Sequence, residues 1–168
     1  MPLAGTVAWT IVGVCGALLP TFAAAIVLFT CTGSIVYLGM FISRFTGENF
    51  LDKSRPRNTF DQLFIMTVFM AALVYAIAIP FFLLEPSSLP LTVGILTGIM
   101  WLPFSWTIQH WVGVFHGVSR TVLIVAAWYL FPGLRFVVIP AVIVVIYLVT
   151  MIITEKRWRA IQAEGQLS

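Results

Sequence analysis

The sequence predicts an all-α integral membrane protein, a bundle of about six transmembrane helices with little structure outside the membrane. Hydrophobic residues make up 61% of the 168-residue chain and charged residues only 9%. An average soluble domain is about 45–50% apolar and about 25% charged. Because much of any folded surface must face water, a soluble fold of this size cannot bury so much apolar surface.

Apolar stretches of membrane-spanning length recur along the chain, which we treat as a single transmembrane domain over residues 1–168. About 20 apolar residues are needed to cross the hydrocarbon core at 1.5 Å per residue. Residues 2–43 carry no charge and are interrupted by Pro20, so they provide two helices. We expect helices near 4–20, 22–44, 60–84, 90–108, 111–131 and 136–154, a polar loop at 45–59 and a tail at 155–168.

Three further observations concern these predicted helices. The first helix is rich in Gly and Ala, so an alternative with five spans leaves it at the membrane interface. Pro80, Pro103 and Pro140 lie inside spans and predict kinks, which are tolerated where neighbouring groups satisfy the freed carbonyls. The N-terminus lacks the basic segment of a cleavable signal peptide, so we expect the first helix to be retained.

Basic residues set the expected orientation, because Lys and Arg concentrate in cytoplasmic loops. With six spans, only Arg135 falls on one side and Arg120 falls within a helix. The other side holds the remaining seven: Arg44, Lys53, Arg55, Arg57, Lys156, Arg157 and Arg159. We therefore expect both termini in the cytoplasm and the protein in a cell membrane, the bacterial inner membrane.

Arg120 is the most informative residue for function, since it lies about ten residues into the fifth predicted helix, near the bilayer midplane. A charge at that depth normally faces a bundle interior or water. His116 precedes it by four residues and shares its helix face, and Ser119 flanks both. Two interpretations remain open: Arg120 pairs within the bundle, with Glu85 or Asp61 as the candidate acids, or the group binds a ligand or proton.

Small and aromatic residues suggest packing and anchoring. Gly94 with Gly98, and Gly113 with Gly117, are spaced to let helix backbones approach closely. In a hairpin that turns near Gln109, we expect the two pairs to lie at different depths and not to face one another. The residues placed to anchor the chain at the membrane interface are Trp106, Trp111 and Trp158.

Several function classes are disfavoured. The basic residues are too few and too scattered for a nucleic-acid surface. Cys15 and Cys31 have neither the spacing nor the His partners of a metal site, and we expect no metal and no cofactor. No catalytic motif is present, so an enzyme is the weaker expectation. The loop residues Lys53, Arg55 and Arg57 either bind anionic lipid headgroups or a cytoplasmic partner, or only set the topology.

Two stretches, LGMFISRF at 38–45 and GIMWLPFSW at 98–106, together with the six-span layout, resemble a family of small bacterial multi-pass membrane proteins of unknown function. The resemblance covers about residues 35–131. It implies a bacterial inner-membrane protein and carries no activity, cofactor or catalytic residue.

Two functions therefore remain. In the first, the chain is a structural or accessory subunit that packs in the lipid against copies of itself or a partner membrane protein. In the second, it is a transporter or channel for a small solute or ion, with a midplane site around His116 and Arg120.

Overall fold

The part of the chain that the structure describes is helical apart from short turns. A computed structural model describes the backbone of residues 2–46 and 59–165, and the side chains in these ranges apart from residues 36, 40, 43–46, 59–65, 67, 68, 71, 164 and 165. The helices are α1 (Pro2–Leu18), α2 (Thr21–Thr46), α3 (Thr59–Leu84), α4 (Leu89–Ile99), α5 (Trp101–Thr107), α6 (Val112–Leu130) and α7 (Arg135–Gly165), with a 3₁₀ turn at Pro86–Ser88. The predicted all-α class is confirmed for the described residues.

Three helical segments are long and apolar enough to cross a membrane: Pro86–Thr107, Val112–Leu130 and Arg135–Ala163. Three shorter apolar helices, Pro2–Leu18, Thr21–Ile35 and Ala72–Leu84, accompany them. The structure thus fits a membrane protein through three segments, and a total of six spans stays a prediction.

The fourth predicted helix, at 90–108, is two helices in the structure. α4 ends at Ile99, Met100 forms a turn, and α5 begins at Trp101. Pro103 has no amide hydrogen, so the carbonyl of Ile99 cannot receive its usual bond from four residues ahead. By contrast, α3 and α7 continue as α-helix through Pro80 and Pro140.

The last helix extends well past the predicted boundary at 154. α7 runs to Gly165, so most of the 155–168 tail is helical rather than an irregular extension. A pair of opposite charges four residues apart supports the extension, with Arg159 Nε donating to Glu155 Oε1 at 2.8 Å. Near the start of this extension, Arg157 Nη2 donates to the carbonyl of Ile108 at 2.8 Å, which ties α7 to the link between α5 and α6.

The first helix packs closely into the bundle through small residues. α1 lies mainly against α7 and α2. A Cβ added at Gly5 would lie 2.5 Å from the Tyr147 ring, and one at Gly13 would lie 3.2 Å from Pro140. The absence of side chains at these positions lets the two helices approach closely. The core between them includes Trp9, Val12, Ile139 and Ile143.

One glycine of each pair, Gly98 of α4 and Gly117 of α6, meets the other, contrary to the expectation from sequence, whereas Gly94 lies against Ile124 and Gly113 against α5. A Cβ added at Gly117 would lie 3.2 Å from the carbonyl oxygen of Gly98, and one at Gly113 would overlap the carbonyl oxygen of Trp101. Neither Gly98 nor Gly117 has a side chain, so the backbones of α4 and α6 lie in close contact there. The glycine pairs therefore serve packing within one chain.

Candidate functional site

Arg120 lies in the middle of α6 and is completely enclosed by protein. Its side chain and that of His116 are both 0% exposed. The two lie on one buried face, as their four-residue spacing predicts. The enclosing side chains come from α1, α4, α5, α6 and α7, and we call this set the Arg120 cluster: Trp9, Thr97, Trp101, His116, Arg120, Tyr147 and Thr150.

The hydrogen bonds of Arg120 determine the state of His116. Arg120 Nη1 lies 3.3 Å from His116 Nε2. A guanidinium has donors only, so this ring nitrogen accepts and the neutral imidazole carries its hydrogen on Nδ1. His116 Nδ1 then donates to Thr150 Oγ1 at 2.9 Å, and the Thr150 hydroxyl donates to the carbonyl of Ile146 at 2.8 Å.

A second hydrogen-bond chain runs from the other terminal nitrogen. Arg120 Nη2 donates to Thr97 Oγ1 at 2.6 Å, and the Thr97 hydroxyl donates to the carbonyl of Val93 at 2.8 Å. The two chains therefore end on backbone carbonyls of α4 and α7. Through these hydrogen bonds, polar groups of α4, α6 and α7 stabilise the positive charge of the guanidinium, and no carboxylate takes part in either chain.

Aromatic rings complete the enclosure. The Trp101 ring stacks on His116 with centroids 4.3 Å apart and planes at 22°, and Tyr147 lies 4.9 Å from His116. The guanidinium carbon of Arg120 is 5.3 Å from the ring centroids of both Trp9 and Tyr147. Both distances fall within the range of cation–π attraction, which adds α1 to the helices that Arg120 joins.

Two donors in the cluster have no hydrogen-bond partner among the residues that the structure describes. They are Arg120 Nε and Trp9 Nε1, and both are buried. Buried donors are nearly always satisfied in folded proteins, so each such atom needs an explanation.

The other residues predicted for this site lie elsewhere. Ser119 points away from the cluster, donates to the carbonyl of Phe115 at 2.6 Å and lines a shallow apolar groove on the outer face of α6. Glu85 is exposed at the start of the 3₁₀ turn, where its carboxylate accepts from the Ser87 amide at 3.1 Å, so it is not brought to Arg120. The side chain of Asp61, and residues Lys53, Arg55 and Arg57, lie outside the described residues.

Glu85 belongs to a separate polar group at the opposite end from the α7 extension. Hydrogen bonds from Ser87, and the charge of Arg135, hold the pKa of Glu85 below its ordinary value of 4.5. Arg135 Nη1 donates to Ser87 Oγ at 2.6 Å, and its guanidinium carbon lies 3.4 Å from the Trp128 ring centroid. This group ties the start of α7 to the turn before α4.

Sequence reasoning missed most of the cluster. Thr97 and Thr150 gave no signal, because threonines in apolar helices usually bond to the carbonyl four residues back, and both of these also do so. Trp9, Trp101 and Tyr147 are among many aromatic residues, and their approach to Arg120 and His116 depends on how the helices pack.

The chemistry available to the cluster is that of an enclosed donor. Both nitrogens of His116 are engaged, and no carboxylate among the described side chains pairs with Arg120. Among the described residues, no three His, Cys, Asp or Glu side chains form a group able to hold a metal ion. The arrangement suits charge stabilisation and the binding of an acceptor.

No curated protein and no solved structure shows a significant match to the chain. A family model matches residues 1–157, a range that includes both stretches on which the sequence resemblance rests and every residue of the Arg120 cluster. The chain therefore belongs to the family DUF7010, a family of unknown function.

Proposed function

We propose that this chain is a six-span protein of the bacterial inner membrane, with both termini in the cytoplasm, that acts as a structural or accessory subunit. It packs against copies of itself or a partner membrane protein, with membrane lipids around its apolar exterior. Support for the layout comes from the three long apolar segments, the three shorter ones and the excess of basic residues on one predicted side.

The observation that carries the structural role is the enclosure of Arg120. A charge in the interior is costly, and a site that binds a moving solute must open to water in some state. The terminal nitrogens of Arg120 instead donate hydrogen bonds to Thr97 and His116. The hydrogen-bond chains that begin there end on backbone carbonyls of the same bundle. The hydrogen bonds and ring contacts of Arg120 join α1, α4, α6 and α7, as expected of a residue that fixes how these helices pack.

Lipid contact is part of the proposal. Trp106, Trp111 and Trp158 are exposed, and Arg157 links the α7 extension to the region of the first two. Tryptophans in this position favour the headgroup level of a bilayer. Lys53, Arg55 and Arg57 would meet anionic headgroups on the same side.

A transporter or channel for a small solute or ion is the second candidate. Buried ionisable residues within spans commonly mark ligand or proton sites. The specific observation in its favour is the pair of unsatisfied donors, Arg120 Nε and Trp9 Nε1.

Substituted-cysteine labelling separates the two candidates. In a background with Cys15 and Cys31 replaced by Ala, Thr97→Cys places a thiol beside the guanidinium, and Gly133→Cys places one in an exposed turn. We expect a water-soluble thiol reagent to modify Gly133→Cys and to leave Thr97→Cys unmodified from either side of the membrane. Modification of Thr97→Cys would reject the structural role and favour the transporter.

A further inference from the structure

The two unsatisfied donors of the Arg120 cluster belong to neighbouring side chains within cation–π distance. The guanidinium carbon of Arg120 lies 5.3 Å from the ring centroid of Trp9, and both side chains are 0% exposed. Arg120 Nε and Trp9 Nε1 have no partner among the described residues. Both are N–H groups and neither can accept, so whatever satisfies them must present lone pairs.

Charge narrows the choice of ligand. The described neighbours of the Arg120 guanidinium are a neutral imidazole, the Thr97 hydroxyl and the Tyr147 phenol, and none of them supplies an opposite charge. An isolated buried charge is strongly disfavoured unless a counter-charge accompanies it. A water molecule would satisfy the two donors but leave the guanidinium charge without a counter-charge. An anion would satisfy the donors and also supply the counter-charge.

Close packing limits the size of the ligand. A Cβ added at Gly98 would lie only 2.9 Å from Arg120 Cδ, and Trp101 and Tyr147 cover His116 on two sides. This packing favours a monatomic ion over an organic acid.

We propose that the Arg120 cluster binds one small monovalent anion, of the size of a halide, held by Arg120 Nε and Trp9 Nε1. The anion acts as a structural counter-ion between α1 and α6. This inference rests on the same enclosed cluster as the structural role and adds a ligand to it.

Thermal unfolding of the detergent-purified full chain tests the proposal with chloride as the probe. At constant ionic strength and constant cation, gluconate is replaced stepwise by chloride. We expect the unfolding midpoint to rise with chloride and to saturate, because an ion that binds only the folded state stabilises it in proportion to its occupancy. Equal midpoints in gluconate and chloride would overturn the proposal and leave water as the partner of both donors.

Three variants locate the effect. Arg120→Leu should abolish the chloride response, and Trp9→Phe should raise the half-saturating chloride concentration several-fold. Ser119→Ala, on the same helix but outside the cluster, should respond like the unsubstituted protein. A chloride response that persists in Arg120→Leu would show that the ion binds elsewhere, which contradicts the proposal.

A direct measurement covers the case in which the variants fail to fold. Equilibrium dialysis of the unsubstituted protein with radiolabelled chloride should give one bound ion per chain, and none bound would reject the proposal. The two proposals fail independently. Modification of Thr97→Cys rejects the structural role even if chloride binds, and absence of bound chloride rejects the anion site even if Thr97→Cys is protected.

Discussion

Arg120 Nη1 lies 3.3 Å from Nε2 of His116, one turn earlier on α6, and both side chains are fully buried. Two basic residues at this spacing repel one another when both are charged. The structure avoids the repulsion because the imidazole is neutral and accepts, with Thr150 taking the hydrogen of its other nitrogen. The pair is thus a charge and its acceptor, and its stability depends on the threonines at the two ends.

The first prediction concerns Thr97, whose hydroxyl oxygen accepts from Arg120 Nη2. Thr97→Val keeps the shape of the side chain but leaves a buried charged donor without a partner. We expect the free energy of unfolding to fall by about 1–3 kcal/mol, measured by denaturant unfolding in detergent.

Thr92→Val is the matched control. Thr92 is also half-buried on α4, but its hydroxyl donates only to carbonyls of its own helix segment, those of Ser88 and Leu89. Its loss should change the free energy of unfolding by less than about 0.5 kcal/mol. Equal losses for the two variants would mean that the bond to Arg120 contributes nothing beyond ordinary helix packing.

The contact between α5 and α6 gives the second prediction. A Cβ at Gly113 would overlap the Trp101 carbonyl oxygen and lie 2.7 Å from Ser105 Cβ, so Gly113→Ala forces two backbones apart. We expect a loss of about 1–3 kcal/mol in the free energy of unfolding. Gly33→Ala on α2 meets nothing within 4 Å and should be neutral or stabilising by up to about 1 kcal/mol, because Ala favours helix. Destabilisation by Gly33→Ala of the same size would argue against the described packing.

The extent to which the sequence predicts this cluster can be judged from the threonines. Arg120 and His116 are evident because ionisable residues are rare in apolar helices and four residues apart share a face. Thr97 and Thr150 are not evident, because each also bonds to the carbonyl four residues back, as Thr92 and Thr154 do. What distinguishes them is the partner across the helix interface, which a local pattern does not encode.

The sequence likewise predicts the helical class but not how each helix packs or where it breaks. Composition suffices for the all-α class, since so apolar a chain must satisfy its backbone hydrogen bonds internally in lipid. The small residues of α1 leave its membrane span uncertain from the sequence, yet they let α7 approach closely, with the Phe136 carbonyl against Gly16 and the Tyr147 ring against Gly5. Similarly, the break at Met100 follows from Pro103, but a proline alone does not separate a kink from a break, and Pro140 interrupts nothing.

The third prediction uses the pH dependence of Glu85. Hydrogen bonds from Ser87 and the charge of Arg135 lower its pKa below the ordinary 4.5, so ionised Glu85 stabilises the folded state. That contribution is fully present above about pH 4.5, the unfolded value, and is lost as the pH falls through the lower folded value. Thermal midpoints of the unsubstituted protein and Glu85→Gln should therefore differ slightly at neutral pH and converge in acid. A difference that widens as the pH falls would contradict this assignment.

The fourth prediction concerns topology and depends on the seven basic residues on one predicted side against one on the other. In the background without native cysteines, Ser54→Cys and Ser168→Cys should react with a thiol reagent only after the cells are opened. Pro86→Cys and Gly133→Cys should react in intact cells, because the turns before α4 and α7 then face outward. The asymmetry arises because moving Lys and Arg across the membrane is disfavoured, whereas Arg135 is the one basic residue that the outer turns must carry. Labelling of Ser54→Cys in intact cells would invert the orientation, and labelling of Ser54→Cys and Gly133→Cys from the same side would exclude the six-span layout altogether.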